Sequence, residues 1–424
     1  MTAHGAAGVT VNGRSYAVPR RPVCVICLDG CDPEYLAAGL AAGELPEFAR
    51  MATAGFAGEA QAAMPTFTNP NNCALVTGVP AAIHGVAGNF YLDRRTGETV
   101  MVTGDAELRV PTILAAMQQA GVPVAVVTAK DKLLRALAKG IAIGPGGIAV
   151  SAQHADAARM PTHGIDDLCA LVGRGTPDAY SADLSLFVLD AGLRLVQTGR
   201  ARLLYLSLTD YVQHRHAPQS AAARGFMRAV DARLRMLRER GCLVAATADH
   251  GMHDMARPGG APNVVFVGDV LDARFGAGAC RVICPITDPF VRHHGALGGF
   301  VRVHLAPHGP QAASVIAHLA TVAGIAEVLA GAEACARFDL PAEMEGDVTV
   351  IAAPGVALGA RATDHDLSQL AGERLRSHGG TAERRVPFLL SEPLGAAWRA
   401  AHPHLRNYDI FDAVLNGAAA PCSA

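Results

Sequence analysis

The sequence predicts a doubly wound α/β fold, with a mostly parallel sheet flanked by helices and an inserted α+β cap. Three observations carry this expectation. Four short apolar runs have the character of buried parallel strands: VCVICL (23–28), VPVAVVTA (122–129), RLLYLSL (202–208) and CLVAATA (242–248). Helical patterns alternate with these runs, which favours a parallel sheet covered on both faces. After ADHGM the pattern changes, and short β-like runs with Ala-rich helices replace the alternation.

The elements follow in chain order. Residues 1–21 lack the apolar segment of a secretory signal. VCVICL runs into LDG, and residues 33–55 then read as helical. The helical pattern 110–121 precedes VPVAVVTA, which runs into TAKDK. The pattern 184–199 precedes RLLYLSL, which runs into LTDYVQH, and 226–241 precedes CLVAATA, which runs into ADHG. All four strands therefore end in polar residues. Open α/β sheets bind ligands at the carboxyl ends of their strands, so these loops are expected to converge on one site. NVVFVG, GFVRVHL and GDVTVIA mark the inserted segment, and RSHGGTAERRVPFLL returns to core-like character. The expected organisation is a core over 1–262, a cap over 263–372 and a return to the core over 373–424.

Composition excludes several classes. The chain has 424 residues, half of them hydrophobic, with a net charge of -2 and no basic stripe, so nucleic-acid binding is not expected. No charge-free apolar run reaches the roughly 20 residues of a membrane span, so no membrane partner is expected. Most of the ten cysteines sit inside apolar runs, which fits a reducing cytoplasm. Cys24 and Cys27 have a C-x-x-C spacing, but residues three apart on a strand face opposite ways.

The polar residues at the strand ends include Asp29, Asp210, His214, Asp249 and His250, and His378 follows the cap. Carboxylates and neutral imidazoles suit Zn²⁺. Six such groups are too many for one zinc and suit two. Metals roughly 3.5–4 Å apart can clamp the attacking and leaving groups of a displacement at phosphorus. Asp210 and His214 are four apart and face the same way if the chain turns helical there. Asp249 and His250 would diverge on a strand, so they suit two metals, or one through a kinked turn. Each group alone has a plainer reading. Asp29 suits a turn, and His378 before two glycines suits a solvated loop.

MPTFTNPNNCALVTGVPAAIHGVAGN (64–89) is the second rich stretch. Thr68 is expected at or just before a helix N-terminus, where backbone N–H groups favour an anion. A metal-activated hydroxyl there would be a nucleophile; the alternative is a helix cap by Thr66, Thr68 or Asn69. Asn89 can donate to a phosphoryl oxygen, or simply occupy a turn.

Taken in order, LDG, PTFTNPNNCALVTG, HGVAGN, TDYVQH, ADHGM and SHGG resemble the alkaline phosphatase superfamily, in its nucleotide pyrophosphatase/phosphodiesterase branch. The resemblance covers nearly the whole core and implies an alkaline phosphatase-like fold. It implies two Zn²⁺ per subunit and Thr68 as nucleophile. Asp29, Asp249 and His250 would hold one zinc with Thr68, and Asp210, His214 and His378 the other. Asn89 would hold a phosphoryl oxygen. Asn69 departs from the branch, which usually has Phe there; this is a change near the substrate.

Within the branch, VVTAKDKL, LSLTDYVQHRHAP and HGGTAERRVPFLLSEPL resemble the members that split the carbon–phosphorus bond of phosphonoacetate. Lys130 and Lys132 match the lysines that hold the substrate carboxylate there. Only Lys139 joins them as lysine in the chain. If the chain stays extended, residues 130 and 132 share a face. The implied partner is a small phosphonate, and the chain is compatible with a homodimer. Three other readings stay open: a phosphodiesterase or nucleotide pyrophosphatase, a two-zinc isomerase of the phosphoglycerate mutase type, and an inactive zinc scaffold. VRHHG, with Arg292, His293 and His294, is the cap stretch that raises the question of substrate contact.

Overall fold

The computed structural model describes residues 8–288, 294–370 and 372–419. The main sheet has seven strands: β1 (Val23–Cys27), β2 (Phe56–Gln61), β3 (Val124–Thr128), β4 (Gly147–Ser151), β5 (Leu203–Ser207), β6 (Leu243–Thr247) and β7 (Arg385–Leu390). Their spatial order is β2-β7-β6-β1-β5-β3-β4. β6, β1, β5, β3 and β4 are mutually parallel. β7 runs against both β6 and β2, so it alone is reversed. The four apolar runs form four central strands, every residue of which is buried. This is the continuous apolar character expected of strands covered on both faces.

Six helices frame the site and sheet: α1 (Pro33–Ala41), α2 (Pro46–Ala54), α3 (Thr68–Thr77), α4 (Ile113–Gln119), α5 (Ala182–Gln197) and α6 (Ala221–Glu239). The single helical pattern over 33–55 is in fact α1 and α2. Gly43 takes a positive φ of 67° after α1, and Pro46 opens α2. Proline suits a first helical turn and not an interior one. α6 buries Phe226, Val230, Leu234 and Leu237 along one face, the helical spacing that covers a sheet.

Residues 280–352 build a separate four-stranded antiparallel sheet, ordered Cys280–Ile283, Phe300–Leu305, Val348–Ala352 and Ile325–Ala330. It has its own apolar cluster, which also takes in Met64, Phe67 and Ala81 from the stretch around α3. The smaller sheet thus packs on the segment that carries Thr68. No helix among the described residues is long and apolar enough to cross a membrane. The C-x-x-C cysteines Cys24 and Cys27 are fully buried within β1.

A buried arginine of the smaller sheet reaches across to the loop before Asn89. Arg302 is fully buried and donates from Nε to Glu345 at 2.8 Å and from an Nη to the Ala87 carbonyl at 2.9 Å. Glu345 also accepts from the Thr349 hydroxyl at 2.9 Å. The pair anchors the loop that leads to Asn89. Glu345→Ala leaves the guanidinium buried and unpaired, so it is expected to lower unfolding stability by roughly 3–5 kcal/mol. Urea denaturation checks this; a loss below about 1 kcal/mol would put the pair on a par with a surface bridge.

Candidate active site

Six strands of like direction end on one edge of the sheet, and the reversed β7 begins there. Asp29 follows β1, Lys130 follows β3, Asp210 follows β5 and Asp249 follows β6. The chain leaving β2 reaches Thr68, and the chain entering β7 brings His378. Gly30 has φ +67°, and a Cβ there would lie 2.9 Å from the Asp210 Cβ. The turn after Asp29 therefore needs glycine both for its backbone and for its closeness to Asp210.

The structure gathers Asp29, Asp249 and His250 into one buried group whose ligand atoms lie within 4.8 Å of one another. β6 ends at Thr247, so Asp249 and His250 stand on the turn beyond it and converge on one centre. Of the two arrangements open for this pair, the kinked turn is the one present. His250 Nε2 lies 3.4 Å from Asp29 Oδ1 and 3.7 Å from Asp249 Oδ2.

Asp210, His214 and His378 form a second buried group. Asp210 sits at the N-cap of the short helix Tyr211–Arg215, so His214 one turn on faces the same way. Its Nε2 is 2.8 Å from Asp210 Oδ2, and His378 Nε2 is 3.9 Å from that oxygen. Gly379, with φ +126°, packs so closely that a Cβ would stand 2.4 Å from the Phe67 ring. That close approach turns His378 inward from a stretch that reads as a loop. The His250 and His378 rings stack at 3.5 Å, joining the two groups.

All three imidazoles are held in the same tautomer. The Nδ1–H groups donate to backbone carbonyls: His214 to Arg376 at 2.7 Å, His250 to Gly251 at 2.8 Å and His378 to Thr66 at 2.7 Å. Each Nε2 lone pair is thereby aimed at the carboxylates. Burial pushes His250 down to about 4 and His378 down to about 3, so both are neutral at pH 7. Burial, with Asp210 and Asp249 nearby, pushes Asp29 well above the usual carboxylate range. Burial likewise raises Asp249 to about 6. Asp29 Oδ1 is buried without a hydrogen-bond partner. Lone pairs facing lone pairs, and carboxylates crowded out of water, are unfavourable unless a cation lies between them. The residues fit two divalent metals, one in each group, and the site is a two-metal centre.

Thr68 is the first residue of α3, with Phe67 at the N-cap offering no side-chain cap. Its hydroxyl lies 3.2 Å from His250 Nε2 and, given the tautomer, donates to it. The helix start gives Thr68 a locally positive field. Asn72, one turn on, was not a sequence candidate. Its Nδ2 donates to Asp249 at 3.0 Å and to the Thr68 carbonyl at 3.1 Å. Its Oδ1 accepts from the Tyr205 and Ser207 hydroxyls at 2.7 and 2.9 Å. It thus ties the Thr68 helix to the Asp249 carboxylate of the first group and to β5. In sequence it is an ordinary helical Asn, and only its four-residue spacing from Thr68 hints at this.

An inner cavity of about 70 Å³ lies beside the two groups, lined by Thr68, Asn89, Lys130, Lys132, Asp210 and His378 among others. Lys130 is extended, but Asp131–Leu133 turn into a 3₁₀ segment. The lysines therefore do not share a face of an extended chain, as their spacing suggested. They converge because Asp131 between them is tied back: it accepts from Ser151 at 3.2 Å, and its N–H donates to Gln153 at 3.2 Å. Lys132 Nζ pairs with Asp288 at 2.7 Å. Asn89 donates from Nδ2 to the Ile286 carbonyl at 3.3 Å, so the smaller sheet's segment holds its side chain. Asp288 and His294 also line the cavity; Asp288 is not among the sequence candidates, and His294 belongs to the VRHHG stretch that raises the question of substrate contact. Asn69 lines it as well. Arg292 and His293 lie outside the described residues.

The type I phosphodiesterase/nucleotide pyrophosphatase family profile matches residues 23–288. A phosphonoacetate hydrolase from Sinorhizobium meliloti 1021, solved with phosphonoformate, is 42% identical over 98% of this chain and 100% of that chain, with a TM-score of 0.92. The same enzyme with phosphonoacetate is 41% identical over the same shares, with a TM-score of 0.91. Human ectonucleotide pyrophosphatase/phosphodiesterase 5 is 15% identical over 95% of this chain and 96% of that one, at TM-score 0.61. That last likeness is one of fold.

Proposed function

This chain belongs to the type I phosphodiesterase/nucleotide pyrophosphatase family, and within it we propose that it hydrolyses the carbon–phosphorus bond of phosphonoacetate to acetate and phosphate. The observation that carries the reading is the placement of Lys130 and Lys132 in the same small cavity as the two metal groups. Two zinc ions, bound by Asp29, Asp249 and His250 and by Asp210, His214 and His378, would activate an oxygen nucleophile and offset phosphoryl charge.

The chain's own residues do the rest. Thr68 Oγ gives up its proton to solvent and attacks phosphorus, forming the O–P bond as the C–P bond breaks. The C–P electron pair passes to the methylene carbon and delocalises into the adjacent carboxylate as an enediolate. That carboxylate is already negative, which opposes the added charge. Two ammonium groups on it oppose the penalty most strongly in the transition state, where binding accelerates chemistry. The carbon then takes a proton, giving acetate. Water hydrolyses the phospho-threonine, releasing phosphate and restoring the hydroxyl. Asn89, held at the cavity wall, would donate to a phosphoryl oxygen. We assign residues 263–372 as a cap whose Asp288 and Ile286 close the site from above the sheet edge. The cysteines among the described residues are free thiols, which supports a cytoplasmic setting.

The nucleotide pyrophosphatase reading requires room and an aromatic slot for a base. The inner cavity beside the metal groups has no Phe, Tyr or Trp in its lining; Tyr180 lines the wider adjoining space, which is shared with Lys130, Lys132 and Asp288. Phosphonoacetate is the better fit. Purified protein is expected to release phosphate from phosphonoacetate, to stop after chelation and to recover on adding zinc. Hydrolysis of a nucleotide diester with no action on phosphonoacetate would replace this reading with the other.

A further inference from the structure

Lys130 and Lys132 are not equivalent. Lys132 Nζ is 2.7 Å from Asp288 Oδ2, and these side chains are only 12% and 7% exposed. Among the described residues, Lys130 has no carboxylate within ion-pairing distance and instead lies in the field of Asp29 and Asp210. The two partners of the Lys132 pair come from different sheets. Lys132 follows β3 of the main sheet, while Asp288 follows the strand Cys280–Ile283 of the smaller one. A second cavity, of about 440 Å³, shares Lys130, Lys132 and Asp288 with the inner one. The ion pair therefore stands at the junction between a wide outer space and the small space beside the metals.

We propose that Asp288 is a specificity-determining positioning residue: it fixes the Lys132 ammonium at one point of the inner cavity, and so sets where a substrate carboxylate must lie relative to phosphorus. The proposal rests on the reading of the lysines as the carboxylate clamp. A lysine side chain is a flexible stem bearing a point charge, and it defines a position only when something holds it. Asp288 supplies that hold from the opposite wall. Its charge also opposes the effect of burial, which pushes the Lys132 ammonium toward its neutral form. Asp288 itself bears a negative charge and would repel the carboxylate if Lys132 were absent. The benefit proposed for it acts through Lys132, and this gives the test its form.

The experiment compares D288N, K132A and the double variant on phosphonoacetate and on an aryl phosphate ester that has no carboxylate. Zinc content and the unfolding midpoint are recorded for each. D288N is expected to raise KM for phosphonoacetate at least about tenfold, with a smaller change on the ester. In the K132A background the same substitution is expected to cause no further loss, or a partial recovery, because it removes a repulsive charge. Should D288N not fold, D288E, which keeps the charge but moves it, is expected to give the same selective rise in KM. Equal losses on both substrates, or losses that simply multiply in the double variant, overturn the proposal. K132A separates the two layers. If it is selective for phosphonoacetate while Asp288 variants are not, only the role of Asp288 falls. If K132A itself is unselective, the carboxylate clamp falls and the role of Asp288 with it.

Discussion

Thr68→Ala is expected to abolish phosphonoacetate hydrolysis while both metals stay bound. The reason lies in how the ligand atoms are shared. Each metal group has three side chains besides Thr68: Asp29, Asp249 and His250 in one, and Asp210, His214 and His378 in the other. The three imidazoles are oriented by the backbone carbonyls of Arg376, Gly251 and Thr66, none of which the substitution removes. The Asn72 bond to residue 68 is likewise to its carbonyl. What is lost is the hydroxyl at the start of α3, 3.2 Å from His250. Without it no covalent intermediate forms, and a loss of about 10³-fold or more in kcat is expected, equivalent to about 4 kcal/mol of barrier. Phosphate release and metal analysis of the same sample test both halves. Full activity would remove Thr68 from the nucleophile role, and loss of a metal would show that it contributes to holding that metal.

The parts of the structure that were legible in advance are those where burial leaves a mark on composition. VCVIC, VAVVT, LLYLS and LVAAT could be read as central strands because both faces are covered. Phe56–Gln61 and Gly147–Ser151 are edge strands, and neither was anticipated. The first is largely exposed or half-buried and contains Gly58, Glu59 and Gln61. The second is as long and as buried as the central strands, but it opens on Gly147 and closes on Ser151, which leaves an apolar run of only three residues. Among the site residues, those following a central strand announced themselves as polar groups after apolar runs. His378 was the weakest of the candidates, because its position depends on a reversed strand and on Gly379 packing against Phe67, and alone it suits a solvated loop. Asp288 left no trace at all. It is a single carboxylate 156 residues from Lys132, and their contact exists only because the smaller sheet packs over the first.

Lys130→Ala and Lys132→Ala are each expected to lose phosphonoacetate turnover far more than turnover of an aryl phosphate ester. In the proposed mechanism both substrates need Thr68 and the metals, so damage to those parts would appear in both. Only phosphonoacetate expels carbon into a carboxylate. Losing one preorganised donor to developing charge typically costs roughly 2.7–4 kcal/mol, or about 10²–10³ in kcat. The aryl ester expels an oxygen that needs no such help, and its loss is expected to stay below about tenfold. Unequal surroundings also rank the two variants. K132A removes the ammonium 2.7 Å from Asp288 and keeps that carboxylate's negative charge at the cavity wall. K130A removes a charge that acts on Asp29 and Asp210, both already opposed by the metals. K132A should therefore be the more damaging toward an anionic carboxylate, and K130A the more damaging of the two toward the ester. Equal effects on both substrates would mean that the lysines serve general anion attraction, and the preference for phosphonoacetate would need another source.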